Sequence, residues 1–293
     1  MELRVLEYFI MVAKEGNITR AAERLHITQP TLSRQLSDLE KELNTQLFIR
    51  GKRSIVLTES GQLLMQRAQE LVNLVAKTER DLLESKGELL GTIAIGCVES
   101  EASRVLAHWM KGFRDIQACV VFDLVSANGD DLREKLDRSI LDLAILLEPI
   151  ESAKYDSIRL DTKERWGILL PKDHPYASLD HINVEQLKTL PLSLSRRSIV
   201  QDEMERWLGV SRDELNIIVT QNLLTNSLLL LEEGIAYPLT IEGAFTIRSD
   251  DHLCFIPFYP ERTTGHVLAW RKNQVMNPAT RMFLQYITNA LEA

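Results

Sequence analysis

The stretch that most constrains this chain runs from Thr28 to Leu43, T-Q-P-T-L-S-R-Q-L-S-D-L-E-K-E-L. Leu32, Leu36, Leu39 and Leu43 follow one another at steps of four, three and four, which places all of them on one helical stripe. Thr28 is predicted to cap this helix. Pro30 falls in the first turn, where its missing amide hydrogen breaks no intrahelical bond. Pro30, Ser33, Arg34 and Ser37 turn away from the leucines, with Gln29 at the exposed N-terminal end. Such a face suits entry into a groove of duplex DNA, because Gln can pair with adenine and Arg with guanine through two bonds each. An ordinary solvated helix would carry a similar face. The flanking sequence decides between the two.

Residues 3–14 put Leu3, Leu6, Phe9, Ile10 and Ala13 on one face of a first helix. Gly16-Asn17 is predicted to end it, with Asn17 capping a short second helix over 18–25. Ala21 and Ala22 are small enough to admit a neighbouring helix, and His26-Ile27 makes a tight turn. Two short helices joined in this way predict a helix-turn-helix whose second helix enters the major groove. Leu47, Phe48 and Ile49 can seal the domain. Arg50-Gly51-Lys52-Arg53 and the β-branched run after it predict a basic wing, whose tip meets phosphates or a minor groove.

Thr58 is predicted to cap a long helix. Leu64, Ala68, Leu71, Val75, Thr78 and Leu82 step along it by four and three in alternation, as a coiled-coil seam does. A lone helix would leave that seam wet, so the pattern predicts a dimer that offers two recognition helices to two DNA half-sites. Gly87 to Gly91 ends the helix as a hinge.

The net charge of −8 would argue against nucleic acid, but its distribution does not. Residues 1–60 hold nine Lys and Arg against eight Asp and Glu, so the acidic excess lies further on. No run approaches ~20 apolar residues, so no membrane span is expected. The acidic start, M-E-L-R-V-L-E-Y-F, is unlike a secretory signal and implies the cytoplasm. Cys97, Cys119 and Cys254 are odd in number and widely spaced, which argues against disulfides and zinc. Cys119 and Cys254 read as core residues. Cys97 lies between a strand and a helix and could be reactive there.

Beyond residue 91 the composition shifts. Apolar runs at 92–96, 119–125, 142–147, 166–171, 190–194, 217–220, 234–239, 253–258 and 266–270 alternate with helical patterns, including 101–114, 130–139 and 278–291. This alternation predicts an α/β region with a mainly parallel sheet.

The block T-R-A-A-E-R-L-H-I-T-Q-P-T-L-S-R-Q-L-S-D-L-E-K-E-L, with L-F-I-R-G-K-R-S-I-V-L-T-E-S-G after it, closely resembles the LysR-type transcriptional regulators. Later landmarks fall in the family's order: L-L-G-T-I-A-I-G, D-L-A-I-L, I-L-L-P-K-D-H-P, E-E-G-I-A-Y-P and L-A-W-R-K. The resemblance implies an N-terminal all-α winged helix-turn-helix over 1–58 and a linker helix that dimerises over 59–88. It implies a C-terminal α/β effector-binding domain over 89–293, two-lobed and resembling periplasmic binding proteins. Lobe one would comprise 91–161 and 267–293, and lobe two 162–266, with crossovers near 160–163 and 263–267. Carried over by position, Gln29, Pro30, Ser33 and Arg34 would face bases, while Thr31, Arg50 and Arg53 would face the backbone or minor groove. A dimer of dimers is usual in the family, and RNA polymerase is an expected partner.

In open α/β sheets, ligands bind beyond the carboxyl ends of strands, at helix starts. That rule selects Cys97, Glu99 and Ser100 after the first strand, Ser126 and Asn128 after the second, and Ser195 and Arg196 in lobe two. Asn222 and Thr225 lie at the next helix start. Ser100 matches the family's hydroxyl-bearing position and also suits a plain N-cap. Glu99 and Glu101 would repel a carboxylate effector while Arg196 and Arg197 would attract one, so a zwitterion fits if both groups face the cleft.

The leading expectation is therefore a regulator that binds DNA and senses a small molecule between its lobes, with no cofactor. A thiol-based redox sensor using Cys97 is the alternative. No G-x-S-x-G, P-loop, G-x-G-x-x-G or metal-spaced histidine set supports an enzyme.

Overall fold

The computed structural model describes residues 1–50, 55–84, 91–247 and 251–292. The chain forms two compact units, Met1–Lys86 and Gly87–Ala293. The predicted hinge at Gly87–Gly91 and the wing tip with Lys52 and Arg53 lie largely or wholly outside the described residues.

The first unit holds α1 (Leu3–Glu15), α2 (Ile18–Arg24), α3 (Gln29–Glu42), β1 (Phe48–Arg50), β2 (Ile55–Leu57) and α4 (Glu59–Glu84). Gly16 ends α1 at φ 60°, a left-handed conformation that glycine adopts without a Cβ penalty. The Asn17 side chain accepts from the Arg20 amide and opens α2. His26 takes φ 54° in the turn before α3. Leu32, Leu36 and Leu39 of α3 pack with Phe9, Ile10, Ala21 and Ala22 in one core. Leu43 does not join them: it caps the helix and is 36% exposed. β1 and β2 pair antiparallel, with Ile49 opposite Val56, as the base of a wing.

The Thr58 hydroxyl accepts from the Gly61 amide and starts α4. The apolar residues of α4 are divided between two uses, which splits the predicted seam: Leu64 and Ala68 go inward and Leu71 outward. Leu64, Met65, Ala68 and Val72 pack into the core of this unit. Leu71 and Leu74 are 41% and 51% exposed.

The second unit holds β3 (Gly91–Cys97), α5 (Ala102–Ile116), β4 (Val120–Ser126), α6 (Gly129–Asp137), β5 (Leu143–Leu147), β6 (Tyr155–Pro171), α7 (Val184–Leu187) and β7 (Leu192–Ser195). Next come α8 (Ser198–Leu208), β8 (Ile217–Gln221), α9 (Thr225–Glu232), β9 (Tyr237–Ile241), α10 (Glu242–Thr246), β10 (Leu253–Pro257), β11 (Thr263–Arg271) and α11 (Pro278–Glu292). The strand order is β4-β3-β5-β11-β6-β9-β7-β8, with β10 also on β6.

The sheet is mixed rather than mainly parallel. β3 runs parallel to β4 and β5, and β7 runs parallel to β8 and β9. β6 and β11 carry the chain across between the two lobes, so they pair antiparallel with each other and with the strands beside them. Their register shifts between Gly265 and His266, opposite Lys163 and Leu160. Each lobe has its own core, one around Ile93, Trp109 and Phe283 and one around Ile168, Leu192 and Phe258. Cys119 is exposed rather than core, because it lies in the turn that leads into the edge strand β4.

Candidate functional site

The first candidate site is the outer face of α3. Its leucine stripe is buried, which turns Gln29, Pro30, Thr31 and Arg34 into solvent and leaves Ser33 half-buried. Thr28 caps the helix by accepting from the Thr31 amide at 3.4 Å, and the two hydroxyls lie 2.8 Å apart. Arg34 is 84% exposed, and its one ion pair, with Asp38 at 3.9 Å, is long. A contact of that kind holds a guanidinium weakly and leaves its donors free for a partner. Arg50 ends β1, but its side chain and the whole of Arg53 fall outside what the structure describes.

The second candidate site is the cleft between the lobes, a cavity of about 100 Å³. Glu99, Asn128, Ser195 and Asn222 line it, as the strand-end rule selects. So do Trp166, Arg197 and Thr240, with Val98, Leu147, Leu224 and Ile241 as apolar wall. Ser126, Arg196 and Thr225 are exposed and do not line it. Of the two adjacent arginines, it is Arg197 that turns inward. It stands at the N-cap of α8, is only 10% exposed and reaches Asp130 of α6 at 3.0 Å. Asp130 also binds Arg133 at 3.2 Å. Burial, and then the like charge of Arg197, lower the Arg133 guanidinium from its ordinary range.

Ser100 is fully buried, and its Oγ has no hydrogen-bond partner among the described residues. It does not cap α5: the Glu101 amide is instead bound by Glu164. Asn128 caps α6 by accepting from the amides of Asp130 and Asp131. Most of its bonding capacity is therefore already engaged.

Cys97 sits inside the core of lobe one and outside the cavity. Its thiol donates to the Val98 carbonyl at 3.2 Å, and burial pushes it up to about 11. A thiol held neutral in this way is a poor nucleophile, which removes the basis for redox sensing through Cys97.

A larger groove of about 1040 Å³ follows the crossover strands. It is open to solvent, and Arg159 on its wall is already paired with Glu148 at 2.9 Å. The cleft, which gathers the strand-end residues Glu99, Asn128, Ser195 and Asn222, is the better candidate. About 100 Å³ is well below the ~300–1,000 Å³ of ordinary ligand pockets. The cleft is therefore narrow, and anything beyond a very small molecule needs the lobes to part. Among the described residues no group of three or more His, Cys, Asp or Glu could hold a metal ion, and no helix is long and apolar enough to cross a membrane.

Residues 3–62 match the family model for the bacterial regulatory helix-turn-helix protein of the lysR family, and residues 86–292 match the LysR substrate binding domain. The Hca operon transcriptional activator HcaR of Escherichia coli (strain K12) is 30% identical over 302 residues, covering 99% of this chain and 98% of that protein. Full-length CbnR complexed with its target DNA shares the fold with a TM-score of 0.76 at 21% identity, covering 99% of this chain and 100% of that one. A full-length OxyR from Pseudomonas aeruginosa shares it at 0.58 and 23%, covering 100% and 95%.

Proposed function

Because this chain belongs to the LysR family of DNA-binding transcriptional regulators, we propose that Gln29, Pro30, Ser33 and Arg34 face base edges while the cleft of the second unit senses a small effector. The observation that carries this reading is the contrast within α3: a fully buried leucine stripe on one side and a polar, nearly unpaired face on the other. Thr31 would face the sugar-phosphate backbone. Phosphate contacts would supply most of the affinity and its salt dependence, and base contacts the sequence choice.

The exposed Leu71 and Leu74 of α4 support a dimer through this helix, with paired half-sites on the operator. The apolar residues exposed on both edge strands of the second unit, Val121 and Leu124 of β4 and Ile218 of β8, support further association into a tetramer. The effector would act by its different affinity for open and closed lobes, changing half-site occupancy and DNA bending. Glu99 and Arg197 within one cleft favour a ligand carrying both charges. The protein works in the cytoplasm, performs no catalysis and reaches RNA polymerase from its operator.

Selection of bound genomic fragments by the full-length protein, with and without cell extract, tests the reading. Arg34→Ala is expected to weaken binding to the selected site by roughly 1–3 kcal/mol and to relax preference at about one base pair. Absence of any preference over random duplex would sink it.

A further inference from the structure

Glu40 sits half-buried in the last turn of α3, and both its backbone and its side chain hold the segment that follows. Its carbonyl accepts the Thr45 amide at 3.0 Å, and the Lys41 carbonyl accepts the Asn44 amide at 3.1 Å, with Asn44 at φ 47°. These two bonds around a left-handed residue close the helix and turn the chain back. The side chain reaches further. Its Oε1 accepts the Leu47 amide at 2.8 Å and the Phe48 amide at 3.2 Å, where β1 begins. A carboxylate is disfavoured here on charge alone, because it stands at the negative end of the helix dipole in a head that meets phosphates. The two amides it binds offset that cost.

The segment held by Glu40 is the root of the wing hairpin. The Leu47 carbonyl accepts the Thr58 amide at 3.0 Å, and the Gln46 carbonyl accepts the Thr58 hydroxyl at 2.8 Å. The Ile55 amide donates to the Gly16 carbonyl at 2.9 Å. The start of α4 comes close as well: a Cβ at Gly61 would strike the Leu47 carbonyl oxygen. Beyond this root the packing gives out. Leu47 and Phe48 are buried, but Ile49 and Val56 are each 57% exposed. The direction of the hairpin is therefore set at its root, and Glu40 supplies the tie that comes from α3. In sequence, Arg50, Lys52 and Arg53 place three cations within four residues at the far end of this hairpin.

We propose that Glu40 is a positioning residue for DNA binding, which holds the hairpin at a fixed reach from α3 so that its cations meet phosphate while α3 is seated in a groove. Two contacts carried on one rigid body engage together. A loose hairpin must be ordered separately, and that cost is taken from the binding. This role rests on the reading that α3 and the hairpin face DNA, and not on which bases α3 selects.

The salt dependence of binding by the full-length protein separates this role from plain stability. Affinity is measured across a range of salt on the fragment that the wild type selects and on a random duplex of equal length. Glu40→Ala is expected to fold, because Leu47, Phe48 and the leucine stripe of α3 stay in the core. It should flatten the salt slope by about 0.9 for each cation that loses its phosphate. The ranking of single-base variants of the selected fragment should not change. Glu40→Gln removes the same charge but keeps one oxygen to accept both amides, so it should restore the wild-type slope. Glu40→Asp keeps the charge but is one methylene shorter, and should behave like Glu40→Ala. An unaltered slope in folded Glu40→Ala, a slope that Glu40→Gln does not restore, or a changed base ranking would overturn the proposal. Should circular dichroism show Glu40→Ala unfolded, Glu40→Asp takes its place in each comparison. If the wild type prefers no fragment over random duplex, base reading by α3 falls, and the slopes on random duplex still decide the role of Glu40.

Discussion

The face of α3 and the cleft between the lobes use their polar groups in opposite ways. On α3, Gln29, Thr31 and Arg34 stand in solvent, with the Arg34 pairing to Asp38 long and exposed. In the cleft, Arg197 is bound to Asp130 and Asn128 caps α6, and outside its lining Glu164 holds two amides. A surface that meets a long polyanion needs no reorganisation to do so. A narrow cleft with its charges already engaged must exchange internal bonds for bonds to a ligand. The effector's affinity is therefore a difference between two bonded states, and its specificity depends on which internal tie it replaces.

Four changes sharpen or break this comparison. The largest effect is expected at Phe9, fully buried and 5.1 Å from the Phe48 ring. Phe9→Ala should destabilise the first unit by ~3–5 kcal/mol. In denaturant titrations the transition of the second unit should stay in place, and a joint shift would show that the two do not unfold separately. Next, Leu71→Glu places a charge on the exposed stripe of α4 and should cost about 2 kcal/mol of association, the value of one buried leucine. Sedimentation should then show monomers, and persistent dimers would assign self-association to another surface.

Asp130→Asn removes the charge between Arg133 and Arg197. Asp130 is half exposed, so the loss should be modest, ~0.5–1 kcal/mol, and confined to the second unit. Its more telling effect is on the cleft, where a freed Arg197 should tighten binding of anionic metabolites in a thermal-shift screen. Unchanged binding would mean that the tie to Asp130 does not compete with a ligand. Smallest is the thiol chemistry. Cys119 should alkylate readily in the native protein and Cys97 only on unfolding, with Cys97→Ser leaving any response to peroxide unaltered. Fast labelling of Cys97 in mass spectrometry would reopen the redox reading.

Much of the first unit was legible in sequence because its signals are local. The spacing of Leu32, Leu36 and Leu39 fixes both the core side and the exposed polar side of α3, and Gly16, Asn17 and Thr58 mark helix ends within a few residues of the groups they cap. Leu43 misled because the same spacing continues past the point where the helix stops. The second unit depends on contacts between distant residues. The first half of β6 was not expected to be a strand: D-S-I-R-L-D-T-K-E-R mixes charges into the alternation, since this crossover strand is largely exposed. Cys119 looked buried because β-branched residues follow it, but it falls in the turn before β4 and faces solvent. Which of Arg196 and Arg197 turns inward depends on the turn entering α8, and sequence spacing does not set it. Glu164 was missed altogether: its partners are 63 and 79 residues away, and no motif marks a carboxylate that binds backbone amides.

The start of α4 is built into the core of the first unit, while its outward leucines follow within one or two turns. Head and dimer stripe are thus keyed to one rigid rod. One residue inserted after Val72 would rotate each head by about 100° relative to Leu74 and the residues beyond it, and shift it by about 1.5 Å, while Leu71 keeps its phase with the head. The operator a variant could still straddle would therefore change in angular steps, with phase restored only after insertions that complete whole turns.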